Sequence, residues 1–140
     1  MKENFAHLQE QYTRLCKLLV PYKPRYSYQS KIQTRRQDDG APHIEFVNGK
    51  YDFVVTERGL ELERQTAETE DELLYWLLSD VTTGIASEFE LDNRVLGQDS
   101  RRQWFAKNVE LLARLNPEWA CRKESEYAKI LTDHPFRDEA

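Results

Sequence analysis

The sequence predicts an α+β fold with its elements segregated along the chain. One helix comes first, then a three-stranded antiparallel meander, then three helices packed on one face of the sheet. Three observations carry this. An apolar stripe of helical spacing at the start runs into Pro21 and Pro24. Two glycine turns, Asn48-Gly49 and Arg58-Gly59, separate three short alternating runs. From Leu73 onward, apolar residues recur every three or four positions, interrupted at Leu96-Gly97 and Asn116-Pro117. No strand–helix–strand alternation occurs, so a doubly wound parallel sheet is not expected.

A chain of 140 residues fits one domain spanning 1–140. That length can bury a core without disulfides or a structural metal. Charged residues make up 32% and the formal charge is −5. This balance argues against direct nucleic-acid binding or an anionic membrane surface, and favours a basic partner. The start, MKENFAHLQEQ, lacks the layout of a secretory signal, and no apolar run approaches the roughly 18 residues that span a bilayer. Cys16 and Cys121 are the only cysteines. A cytoplasmic location with both thiols reduced is the expectation.

The elements follow in order. Phe5, Leu8, Tyr12, Leu15 and Leu19 form one stripe, which predicts a helix over 2–19 ended by the prolines. Residues 20–42 have no period and read as a basic, tyrosine-rich connector. Tyr22, Tyr26 and Tyr28 lie among Lys23, Arg25, Lys31, Arg35 and Arg36. Bases interleaved with aromatics can serve nucleic acid. The acidity of the whole chain favours a connector whose tyrosines pack on the sheet.

Residues 43–66 read as the meander. Asn48-Gly49 signals a two-residue hairpin, which sets Phe46 opposite Tyr51 and Ile44 opposite Phe53. A turn at Arg58-Gly59 would set Glu57 opposite Leu60 and Val55 opposite Leu62. Together the two registers place Ile44, Phe46, Tyr51, Phe53, Val55, Leu60 and Leu62 on one apolar face. The opposite face then carries Glu45, Asp52, Val54, Thr56, Glu61 and Glu63.

Thr69 and Glu72 form a capping box ahead of a helix expected over 70–94. Leu74, Leu77 or Leu78, Val81, Ile85 and Phe89 make its stripe. Gly84 inside it suggests close packing, with a kink near a binding site as the alternative. Gly97 suits the left-handed end of the segment, and Asp99 or Ser100 would cap the next helix. Trp104, Phe105, Val109, Leu112 and Leu115 form that stripe. Asn116-Pro117 opens a last helix to about 133, with Trp119, Tyr127, Ile130 and Leu131 inward. The tail RDEA is expected to fray.

No reaction is spelled out. His7, His43 and His134 stand apart without ligand spacing, and no phosphate-binding or nucleophile-elbow motif occurs. No metal and no cofactor are expected. Thr82, Thr83 and Ser87 read as a helix side bonding its own carbonyls. Charge is the informative feature. Residues 37–72 hold 11 acids against Lys50, Arg58 and Arg64, whereas residues 100–123 hold six bases against Glu110 and Glu118. An acidic sheet face bearing Glu45, Asp52, Glu61 and Glu63 would steer a basic protein. Glu88 and Asp92 share a helix side. Three readings fit that pair: a structural ion network in which Glu88 and Asp92 pair with Arg101 and Arg102, a partner-binding corner with Asp99, or an acid/base or divalent-cation site.

At VTERGLELER, DELLYWLLSDVT, ASEFELDNRVLGQDSRRQWF, LLARLNPEWACRK and DHPF, the chain resembles a family of bacterial polymorphic-toxin immunity proteins, number sixty-three in the immunity series. The likeness covers roughly residues 50–136. It carries over Glu88, Arg94, Gln98, Asp99 and Arg102 as a polar run, and Asn116, Pro117, Glu118 and Trp119 as a helix start. It transfers no catalytic residue. Members are encoded beside a toxin and neutralise it by binding. The resemblance therefore implies an antitoxin of the contact-dependent or polymorphic-toxin type, not an enzyme. Its partner would be a cognate toxin C-terminal domain, with a basic nuclease as the expected class. Glu45, Asp52, Glu61, Glu63, Glu88, Asp92 and Asp99 are the expected contacts. The alternative is an adaptor or regulatory interaction domain without a toxin.

Overall fold

The computed structural model describes residues 2–139. The elements are α1 (Lys2–Lys17), β1 (Asp39–Val47), β2 (Lys50–Glu57), β3 (Leu60–Ala67), α2 (Glu70–Asp92), α3 (Arg101–Leu115) and α4 (Pro117–Asp133), with one 3-10 turn at Ser27–Gln29. The fold is α+β in the expected order: an N-terminal helix, a three-stranded antiparallel sheet ordered β1-β2-β3, and three helices. Among the described residues, no helix is long and apolar enough to cross a membrane.

Local chemistry explains the punctuation. Asn48 and Gly49 both take positive φ, 52° and 77°, as a two-residue turn with the twist of the strands requires. Val47 then opposes Lys50, Phe46 opposes Tyr51 and Ile44 opposes Phe53, as the spacing predicts. Arg58 and Gly59 repeat the device at 50° and 81°, and Glu57 opposes Leu60. The start of α2 is held by Thr69, whose Oγ1 accepts from the Glu72 N–H at 3.1 Å. Asn116 Oδ1 accepts from the Glu118 N–H at 2.9 Å, with Pro117 at the first helical position of α4.

The second hairpin departs from a plain period of two. Thr56 opposes Glu61, but Val55 opposes Glu63, so Leu62 is an extra residue inserted into β3. Beyond this bulge every β3 side chain lies on the face opposite to the expected one. Leu60 and Leu62 do not join an apolar face; they are 66% and 57% exposed. Glu63, opposite Val55, shares the face of Phe53 and Tyr51 instead of that of Glu45.

The chain divides into two compact units. The first holds Met1–Leu15 and Tyr26–Leu77; the second holds Cys16–Arg25 and Leu78–Ala140. In the first, Tyr51 meets Phe5 of α1 edge-to-face at 6.0 Å, and Phe53 meets Trp76 of α2 at 6.1 Å. Leu8, Ile44, Val54 and Leu73 are fully buried there. In the second, α3 and α4 pack together. Phe105 and Tyr127 stack at 3.8 Å, with Leu78, Val81, Leu111, Leu112 and Trp119 buried. Asn108, fully buried in α3, donates to Thr83 Oγ1 and is bonded to the Tyr127 hydroxyl, which ties three helices with side-chain polar groups. Burial holds the Tyr127 hydroxyl above its ordinary pKa. Ile130, expected inward, is 42% exposed.

Gly84 is not a close-packing glycine, since a methyl group built there meets nothing within 4 Å. Its helical interior then carries only the entropic cost of glycine. Gly84→Ala is expected to raise the unfolding free energy by about 0.5–1 kcal/mol, read as a higher urea midpoint at unchanged slope. A lower midpoint would show a steric role at this position.

Candidate functional site

The register of the sheet assembles one charged cluster. Glu45 opposes Asp52, Asp52 opposes Thr66, and Val54 lies between His43 and Arg64, so all of these side chains share a face. Arg64 is the hub. Its guanidinium donates to Asp52 Oδ2 at 2.7 Å, to Glu45 Oε1 at 3.1 Å and to Glu61 Oε1 at 2.8 Å. Thr66 Oγ1 donates to the other Asp52 oxygen at 2.8 Å, and His43 Nε2 lies 2.8 Å from Glu45 Oε2. Three carboxylates around one guanidinium leave a net charge of −2.

Burial grades across the cluster. The Asp52 side chain is 10% exposed, whereas Glu45 and Glu61 are 36% and 46% exposed and Arg64 35%. Asp52 is therefore the anchored member, and Glu45 and Glu61 look outward. The Arg64 hydrogen bonds hold the Glu45 carboxyl below its ordinary pKa, with His43 helping, and do the same for Glu61. The three acids in turn raise the Arg64 guanidinium. Exposed pairs of this kind add little stability because water screens them. What the cluster supplies is a fixed, ionised, outward-facing negative patch.

The corner after α2 is built differently from expectation. Arg101 and Arg102 do not reach Glu88 or Asp92. Arg101 pairs with Asp99 at 2.9 Å and Arg102 with Asp138 at 3.0 Å. Glu88 lies 3.7 Å from Arg25 instead, and Asp92 is exposed. The reason is the tail. Arg101 also donates to the carbonyls of His134 and Pro135 at 2.8 Å each, and both guanidiniums lie over the Phe136 ring. Asp99 accepts from the Arg137 N–H at 2.8 Å and from the Arg101 N–H at 3.0 Å, while its own N–H donates to Asp138. The Glu139 N–H closes the ring onto the Gly97 carbonyl. Residues 134–139 are thus fastened to the α2–α3 loop rather than frayed. Gly97 has φ of +80°, and a methyl group there would sit 3.3 Å from the Glu139 carbonyl oxygen, so the position needs glycine twice over.

The expected site residues therefore fall into different settings. Glu45, Asp52 and Glu61 come together; Glu63 faces away from them; Glu88 and Asp92 lie on the outer side of α2; Asp99 is spent on the tail. Arg64, His43, Thr66 and Asp138 are the members that sequence reasoning missed. Arg64 had a signal, as one of three bases in an acidic stretch. Among the described residues, no group of three or more His, Cys, Asp or Glu side chains is gathered in a way that could hold a metal ion.

The profile of a protein family described as Immunity protein 63 matches residues 48–129, from the first hairpin turn into α4. The chain belongs to the Immunity protein 63 family. Membership supports an immunity role and implies a cognate toxin as partner, in a class of proteins that is generally non-enzymatic. The matched span contains Asp52, Glu61, Arg64 and the α2–α3 corner; Glu45 and the fastened tail lie outside it. Searches of curated proteins and of solved structures found no match for this chain.

Asp99 offers a direct test of the fastening. Its hydrogen bonds to Arg101 and to the Arg137 amide hold the carboxyl far below its ordinary value of 3.8. A depressed folded pKa means the stabilisation is complete above that ordinary value and is lost as pH falls below it. Asp99→Asn should lower the melting temperature at pH 7, and the gap to the parent protein should narrow steadily below about pH 4. A gap independent of pH would assign the effect to something other than this ionised carboxylate.

Proposed function

We propose that the chain neutralises its cognate toxin by presenting the Glu45–Asp52–Glu61 face of the sheet to a basic substrate cleft, and that the toxin is a nuclease. The observation that carries this is the cluster around Arg64. Its net charge of −2 faces outward, and its arginine holds Glu45 and Glu61 ionised and positioned. A nuclease must offer cationic groups to the phosphate backbone, and such a cleft is the natural complement of a preorganised carboxylate patch. Asp52 and Thr66 act from below as positioning groups. Glu45 and Glu61 are the contacts. The chain's formal charge of −5 adds long-range steering toward a basic partner. Glu63, Glu88 and Asp92 lie outside this patch, and Asp99 is committed to the tail, so the proposal assigns none of these four to the contact.

The partner for the test is the C-terminal domain of the protein encoded immediately upstream. Glu61→Lys should weaken its binding at least tenfold, mainly through slower association, with the melting temperature little changed. Raising salt from about 50 to 500 mM should erase most of that difference, because the Debye length shrinks severalfold. Unaltered binding by the Glu61→Lys chain, with toxicity still suppressed, would remove this face from the interface.

A further inference from the structure

The sheet ends on β3, and the backbone polarity of that edge can be read from the register. The Ile44 N–H donates to the Gln33 carbonyl at 2.8 Å, so Ile44 directs its backbone groups away from β2 and into the connector. The outer edge of β1 is therefore covered at this point. Phe53, opposite Ile44, must direct its own groups toward β3, because backbone groups in an antiparallel pair alternate in direction. Gln65, opposite Phe53, bonds back into the sheet. It follows that Arg64 and Thr66 turn their N–H and C=O groups outward, away from the sheet.

Nothing among the described residues meets those groups. β3 pairs on one side only, and no backbone hydrogen bond reaches Leu60–Ala67 from outside the sheet. Every residue from Leu60 to Thr66 is exposed. Such an edge is a template for another strand unless something blunts it. The bulge at Leu62 blunts only the end near the turn; Glu63–Ala67 beyond it runs in continuous register with β2. Charge decides which strand fits. Glu61 and Glu63 lie along the edge, and Glu45 and Asp52 stand behind it against Arg64. A second copy would bring the same acidic edge against itself, which like charges oppose.

We propose that the outer edge of β3, over Glu63–Ala67, docks an extended basic segment of the toxin as a fourth strand. This rests on the reading of the chain as a toxin-binding protein with an acidic sheet face. Main-chain bonds at Arg64 and Thr66 supply affinity without regard to side chains, and the flanking acids select a basic strand. The edge thereby extends the negative patch from a docking face to a register-setting rail.

Amide hydrogen exchange of the chain, alone and with the upstream-encoded toxin domain, tests this residue by residue. The Arg64 and Thr66 amides should slow at least tenfold on binding, with Gln65 protected in both states. Thr66→Pro removes one outward donor at an edge position where proline is tolerated, and should weaken binding at least tenfold beyond Thr66→Val, which loses the same hydroxyl bond to Asp52 but keeps the outward N–H, with the circular dichroism spectrum retained in both. If that variant fails to fold, the exchange comparison on the parent protein decides alone. Unchanged exchange at Arg64 and Thr66 in a complex that Glu61→Lys still weakens would overturn strand docking while leaving the acidic-face reading intact. Absence of any complex would overturn both. Protection that grows with the concentration of the chain alone would make a second copy the occupant, and would overturn the proposal.

Discussion

The structure depends on a constraint set by Glu70–Asp92: it is one unbroken helix with almost no polar side. Leu73, Leu74, Tyr75, Leu77, Leu78, Val81, Thr82, Ile85 and Ala86 are all buried. An ordinary surface helix shows one apolar stripe. This one must be covered nearly all round, at roughly 25 cal/mol for each Å² of apolar surface removed from water. Its first turns belong to the unit that holds the sheet, and the rest to the unit that holds α3 and α4. Neither unit closes its core without its share of this helix.

Several polar groups inside that arrangement are tied, although the Ser79 hydroxyl and the Asn108 amide oxygen are buried with no hydrogen-bond partner among the described residues. Glu90, near the end of α2, is 4% exposed and receives two hydrogen bonds from Arg94, which hold its carboxyl below the ordinary value. Asn108 joins Thr83 and Tyr127. Arg101, Arg102 and Asp99 gather the tail. The charged surface can then be sorted by physical role. Charges bound to backbone groups, such as Asp99 and Arg101, position chain segments. Charges bound only to other side chains and open to water, such as Glu45 and Glu61, are free to meet a partner. That distinction separates the α2–α3 corner, whose charges hold the tail, from the sheet, whose outer carboxylates stay open to water.

Particular elements show how far the residues could be read directly. Asn48-Gly49 and Thr69-x-x-Glu72 specified their turn and cap because each motif is satisfied within a few residues of backbone. Glu45 and Asp52 were legible as one acidic face because the first hairpin register is short and unambiguous, and Glu61 joined them because it pairs with Thr56 before the second hairpin's bulge. Arg64 was not legible as their hub, since its position depends on the bulge at Leu62. A period-two count has no term for an inserted residue, so it carried Glu63 onto the wrong face and counted Leu62 as core; Leu60 keeps its expected partner Glu57 but sits at the exposed turn. The ion pairs at the corner failed for another reason. Arg101 and Arg102 are close in sequence to Glu88 and Asp92, but the partners they take, Asp138 and the carbonyls of His134 and Pro135, lie more than thirty residues away.

By itself, then, the sequence determined the α+β order, the helix and hairpin boundaries to within a few residues, an apolar stripe along α2 and the family resemblance. These are properties of local periodicity, short-range capping and motif order, and they need no knowledge of what packs where. Only the tertiary structure decided which acids are bound and which are presented, that the tail is fastened, and that β3 offers an open edge. Each of those depends on groups distant in sequence meeting in space, and on a one-residue bulge that turns every later side chain of its strand to the other face.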